Sequence, residues 1–165
     1  MHRACTRHAR GHSLLELTVV AAVVGVLGAV AAVGFQQPSG QYLTLETDQL
    51  RRNLSHVQML AISRSQRMKL SANGDHYAVQ ACESSACTAP VTLADPATGR
   101  PFTIALQNGA RITSAAPLYL DTLGRPASAT GVVTSDPAVR FQLTLDGRTT
   151  QVDVAPLTGG LRATY

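Results

Sequence analysis

Residues 17–35 contain no charge and a single hydroxyl, that of Thr18. A Val-, Ala- and Gly-rich run of this length constrains the chain more than any other feature. Val and Gly are poor helix formers in water. In a bilayer the backbone has no partner outside its own segment, so helix is the available conformation. Extended to its polar ends, 12–37, the segment would rise roughly 39 Å as a helix, enough for the ~30 Å hydrocarbon core. A transmembrane helix over 12–37 is therefore expected. The rest of the 165 residues leaves room for one modest domain.

Charge places the two sides. Arg3, Arg7 and Arg10 precede the run, and no acid occurs before Glu16. Basic residues beside an apolar span stay cytoplasmic, so the bulk of the chain is expected on the other side of the membrane. The formal net charge is +4, but from residue 36 onward eleven basic residues face nine acidic ones. A high isoelectric point made largely by the head does not by itself indicate a nucleic-acid binder.

Glu16 sits just inside the apolar run. A carboxylate at membrane depth costs a few kcal/mol and is a functional candidate by default. Cleavage after Gly11 would create a cation for it, the α-amino group of His12 on a neighbouring copy. The plainer reading is a carboxylate that snorkels to the headgroups from a simple anchor. A different processing is also written in the chain. Ala29-Val30-Ala31 fits an ordinary secretory cleavage site, which would release a product starting at Ala32.

The segment Arg10-Gly11-His12-Ser13-Leu14-Leu15-Glu16-Leu17-Thr18-Val19-Val20 resembles the class III signal peptide of type IV prepilins and type II secretion pseudopilins. That resemblance implies a leader at 1–11, cut by a prepilin peptidase between Gly11 and His12. It also implies N-methylation of His12 and a role for Glu16 in setting assembly register. His12 stands where the family usually has Phe, and the first proline is Pro38, beyond the apolar run.

Past the span, Gln36-Gln37-Pro38-Ser39-Gly40 reads as a kink or short link. Leu43, Leu50, Leu54, Val57, Ala61 and Met68 then recur at helical spacing, predicting an amphipathic helix over 41–71 that Asn73-Gly74 ends. Alternating segments follow at 76–81, 91–93, 102–106, 111–113, 118–120 and 139–145. Asp146-Gly147 is a hairpin turn, the return strand holds Thr150, Val152 and Val154, and 161–165 is a last edge strand. Residues 72–165 are thus expected to form a small antiparallel sheet head. The fold class is α+β: a long N-terminal transmembrane and amphipathic helix followed by an antiparallel β-sheet domain. This is the pilin-like order.

Shorter resemblances point to a minor subunit. Leu120-Asp121-Thr122-Leu123-Gly124-Arg125-Pro126 looks like the Gly-Arg-Pro turn of H-class pseudopilins and FimT-like minor pilins, and Thr158-Gly159-Gly160-Leu161 is similar to their closing motif. Tyr77, Val79 and Cys82 after the helix resemble minor pilins of the mannose-sensitive haemagglutinin system. Cys82 and Cys87 in an oxidising compartment would form a disulfide closing a short loop, with unpaired thiols the other possibility.

Chemistry is poorly signalled. His56 reads as a rim residue, and the set Ser63, His56 and Asp48 lacks a strained nucleophile turn. No metal or cofactor motif is present and no enzymatic activity is expected. Some FimT-like relatives bind DNA in uptake, so Arg140, Arg148 and Arg162 are candidate phosphate contacts. They are interleaved with Asp136, Asp146 and Asp153, and no aromatic residues accompany them for base stacking. The expected partners are other pilin or pseudopilin subunits, the peptidase and the inner membrane.

Overall fold

The computed structural model describes residues 14–34, 39–84, 86–96, 98–134 and 138–165. The leader, the cut between Gly11 and His12, and the link at 35–38 lie outside them. The chain divides into two units, 1–37 and 38–165.

In the first unit, α1 runs Leu14–Gly34, 21 residues with one charge, Glu16, in its first turn. In the second, α2 runs Ser39–Ser63. It buries Leu43, Leu50, Leu54, Val57 and Ala61, a stripe at 3.6-residue spacing, and turns Arg51, Arg52 and Ser55 to solvent.

α2 stops eight residues before the expected boundary at 71. Its end is a Schellman motif: Gln66 N donates to Ala61 O at 3.1 Å and Ser65 N to Ile62 O at 3.1 Å, with Ser65 left-handed at φ 48°. Glycine usually fills that position because it has no Cβ penalty. Serine there hides the stop, so the periodicity predicts a helix that continues to the next Asn-Gly pair. Residues 67–73 instead form strand β1 (Arg67–Asn73), in which Met68 and Leu70 are buried and Lys69 between them is not. That is a period of two. Asn73 and Gly74 mark a hairpin: Asn73 pairs with His76, and Gly74, the first of the two loop residues, has φ 64°.

The remaining strands are β2 (His76–Cys82), β3 (Pro90–Thr92), β4 (Thr103–Ala105), β5 (Arg111–Ser114), β6 (Leu118–Leu120), β7 (Pro126–Ala127), β8 (Val139–Leu145), β9 (Arg148–Val154) and β10 (Leu161–Thr164). They make two antiparallel sheets rather than the single one expected. One has the order β3-β2-β1-β6-β7, with β4 also on β2; the other has the order β10-β9-β8-β5. The sheets meet where Ile112 N donates to Gly74 O at 2.6 Å.

α2 packs across β8, β9 and β10 and touches β1. Tyr77, Val79, Ile112, Leu118, Phe141, Leu143, Val152 and Val154 join its stripe in one core. Buried polar groups on α2 are satisfied by this packing. The Thr47 hydroxyl donates to Leu43 O at 2.7 Å, so the Thr150 hydroxyl, 2.5 Å away, donates to Thr47. The Glu46 carboxylate accepts from Gln107 N at 3.0 Å.

Candidate functional site

Three regions bear on function: α1, the loops that clamp α2, and the arginines of the second sheet.

Along α1 the side chains of 14–29 are all exposed and nearly all apolar. A helix apolar on every side has no solvent face of its own. No helix among the described residues is long and apolar enough to cross a membrane. The expected span of 12–37 has both its ends outside the described residues. Glu16 is exposed in the first turn, where a carboxylate also favours the positive end of the helix dipole.

In the second unit the two short motifs that lie far apart in sequence meet over one residue of α2, Gln58. Asp121 is buried and organises the first motif. Its Oδ1 accepts from Leu123 N at 3.0 Å and Arg125 N at 2.8 Å, and its Oδ2 accepts from Arg125 Nε at 2.8 Å. Gly124, at φ 72°, closes that turn against α2: a Cβ there would sit 3.2 Å from Gln58 O. The second motif arrives from the C-terminal side. Gln58 Nε2 donates to Gly159 O at 2.7 Å. A Cβ on Gly159 would come within 2.9 Å of Gly124 O, so glycine is required by contact as well as by its φ of 72°.

Cys82 and Cys87 are bonded, with Cα atoms 4.7 Å apart. The bridge ties the end of β2 to the loop leading into β3.

Arg140, Arg148 and Arg162 do not form one surface. Arg140 Nε donates to Asp153 Oδ1 at 2.7 Å, and Arg162 is the cross-strand neighbour of the same aspartate. Arg148 lies at the hairpin turn, five residues along β9, roughly 17 Å away, against Gly40 of α2. Asp153 raises the Arg140 pKa further above its ordinary value through their hydrogen bond.

No family model matches the sequence, and no curated protein matches it. A solved structure does match the fold: the minor pseudopilin EpsH from the Type 2 Secretion System of Vibrio cholerae. It superposes with a TM-score of 0.55 at 11% identity, over 74% of this chain and 95% of that one.

The chain has a pseudopilin fold.

Within the pseudopilin fold, the order of one amphipathic helix and antiparallel strands was legible in advance, and so were the two loop motifs. Their convergence on Gln58 was not. Gln58 is an unremarkable polar residue on an exposed helix flank, and no spacing links it to positions 124 and 159. The same convergence leaves a cleft of about 580 Å³ beside it, walled by Arg51, Arg52 and Ser55 on one side and Thr158–Leu161 on the other. Arg51 and Arg52 carry no local pattern that separates them from any other charged pair on a helix flank.

Other polar groups of the head have structural explanations. Tyr77 is pushed up to about 12 by burial, opposed by the hydrogen bond from Asn53 Nδ2 at 2.6 Å. Asp75 is held below the ordinary carboxylate range by its hydrogen bond to His76. His56 packs edge-on against the Phe102 ring, 6.0 Å between centroids. Among the described residues no three His, Cys, Asp or Glu side chains gather at a spacing that would hold a metal.

Proposed function

We propose that this chain is a minor subunit of a type IV pilus or type II secretion pseudopilus, working by assembly rather than catalysis. The observation that carries the reading is α1 over 14–29: exposed and apolar all round, with one carboxylate in its first turn. The pseudopilin fold of the head supports it, as does the basic leader ending in Gly11.

In this reading Arg3, Arg7 and Arg10 hold the leader on the cytoplasmic side of the inner membrane. A prepilin peptidase cuts between Gly11 and His12 and the new amino group is methylated. The helix from His12 waits in the bilayer, with the head in the periplasm. On extraction into the filament, apolar helices of several subunits bury one another. Glu16 compensates the amino-terminal charge of an adjacent subunit. A buried pair of this kind fixes register more dependably than it adds net stability.

Glu16→Ala should leave processing intact and abolish incorporation into filaments, read by blotting sheared filament fractions. Unimpaired incorporation would remove the register role. Gly11→Ala should leave the chain unprocessed. Sequencing the mature N-terminus separates the two possible cuts: methyl-His12 supports the subunit reading, and Ala32 defeats it.

A further inference from the structure

β10 borders the second sheet and, among the described residues, pairs only with β9. In an antiparallel ladder the backbone groups of alternate residues point to opposite edges. Ala155 N donates to Gly160 O at 2.8 Å, which sets the phase. Gly160, Arg162 and Thr164 turn their backbone groups toward β9; Leu161 and Ala163 turn theirs away. Among the described residues, those outward groups have no hydrogen-bond partner. The strand carrying them is well seated, because the Leu161 and Ala163 side chains pack on the core. A seated strand with an open edge is a template for another strand, and this one has neither a proline nor an inward charge to blunt it.

The cleft of Arg51, Arg52 and Ser55 opens next to this edge and shares Gly160 and Leu161 with it. Arg52 and Arg162 have no carboxylate partner among the described residues. Arg51 reaches Asp48 only at 4.0 Å, and Asp48 already accepts from the Tyr165 hydroxyl at 2.5 Å. On the cleft side Arg51 and Arg52 have one anion near them, Asp48, while Arg162 lies with the Arg140–Asp153 pair on the other face of the sheet.

We propose that β10 is a docking edge for an extended acidic segment of a different protein. The segment's main chain would bond Leu161 and Ala163, and its carboxylates would meet Arg51 and Arg52. A second copy of this chain does not fit. Apart from Glu46 and Asp48, both on α2, its acidic residues lie at least seven positions apart. This docking does not depend on filament assembly.

The test uses the full chain in detergent micelles and a labelled peptide of about eight residues alternating Glu and Val. A Lys-Val peptide and a single-stranded oligonucleotide serve as comparison probes. The acidic peptide should bind saturably and slow amide exchange at Leu161 and Ala163. Ala163→Pro should weaken it about tenfold. That proline removes only an outward N–H, so the β9 ladder is kept. Arg51→Glu with Arg52→Glu should weaken it at least as much. The exchange readout needs no variant and so does not depend on how either one folds. No binding of the acidic peptide overturns the proposal. So does equal binding of the Lys-Val peptide, or binding without protection of the two amides. Oligonucleotide binding that competes for the cleft without protecting them would make it a phosphate site instead.

Discussion

α1 and α2 are helices of similar length, 21 and 25 residues, that solve opposite problems. α2 finds its apolar partner inside its own chain. Its stripe closes onto both sheets, and its polar flank, with Asp48, Arg51 and Arg52, meets water. α1 has no polar flank, and the side chains of 14–29 stay exposed. An apolar stripe can be satisfied by folding, whereas a helix apolar all round needs either lipid or other helices. The second unit thus covers the stripe of α2 from within the chain, whereas the side chains of 14–29 on α1 remain uncovered.

The contrast breaks most sharply at the core. Leu54→Ala, at a fully buried position on α2, should destabilise the head by about 2–5 kcal/mol in urea unfolding. Val23→Ala, at an exposed position on α1, should leave the same midpoint unmoved. Equal shifts would mean that the exposed and the buried position contribute alike to stability. A smaller effect is expected at the β2–β3 corner of the first sheet. Cys82→Ala should cost about 2 kcal/mol, the loop-closure value for so short a ring. An effect much smaller than that would indicate that the β2–β3 corner is held by pairing alone.

The smallest effect concerns Tyr77, under the flank of α2. A tyrosine ordinarily ionises near pH 10, but burial pushes Tyr77 to about 12. The folded chain therefore keeps a proton that the unfolded chain has lost. Stability from this group is full below about pH 10 and disappears as the pH rises through about 12. Tyr77→Phe should cost about 1 kcal/mol at neutral pH, where it loses the bond from Asn53. It should also flatten the fall of stability between those two pH values. An unchanged alkaline profile would place the ionisation elsewhere.

Much of the head was legible locally. Asp146-Gly147 is a two-residue turn with both φ angles positive, 49° and 75°, as an Asp-Gly hairpin demands. The alternation in 139–145 and 148–154 follows from strands with one buried face. Other features were locally silent. The stop of α2 rests on Ser65 in a position that normally announces itself with glycine, which hid β1. Strand β7, two residues long, is too short to show any period. Arg140, Arg148 and Arg162 all fall near one hairpin in the sequence, interleaved with aspartates. A hairpin puts its turn and its open end a strand's length apart, so Arg148 is separated from Arg140 and Arg162.

The sequence alone determined the apolar helix with its lone Glu16, the amphipathic stripe of α2 and the hairpins. Each depends on neighbours a few residues away, and such patterns are written in spacing. Only the tertiary structure decided that the strands divide into two sheets. It also decided that the loops at Gly124 and Gly159 close over Gln58, and that β10 is left with an open edge beside Arg51 and Arg52. Those outcomes follow from which surfaces pack once the whole core of α2 is covered. Packing of that kind joins residues a hundred positions apart, where no local period records it.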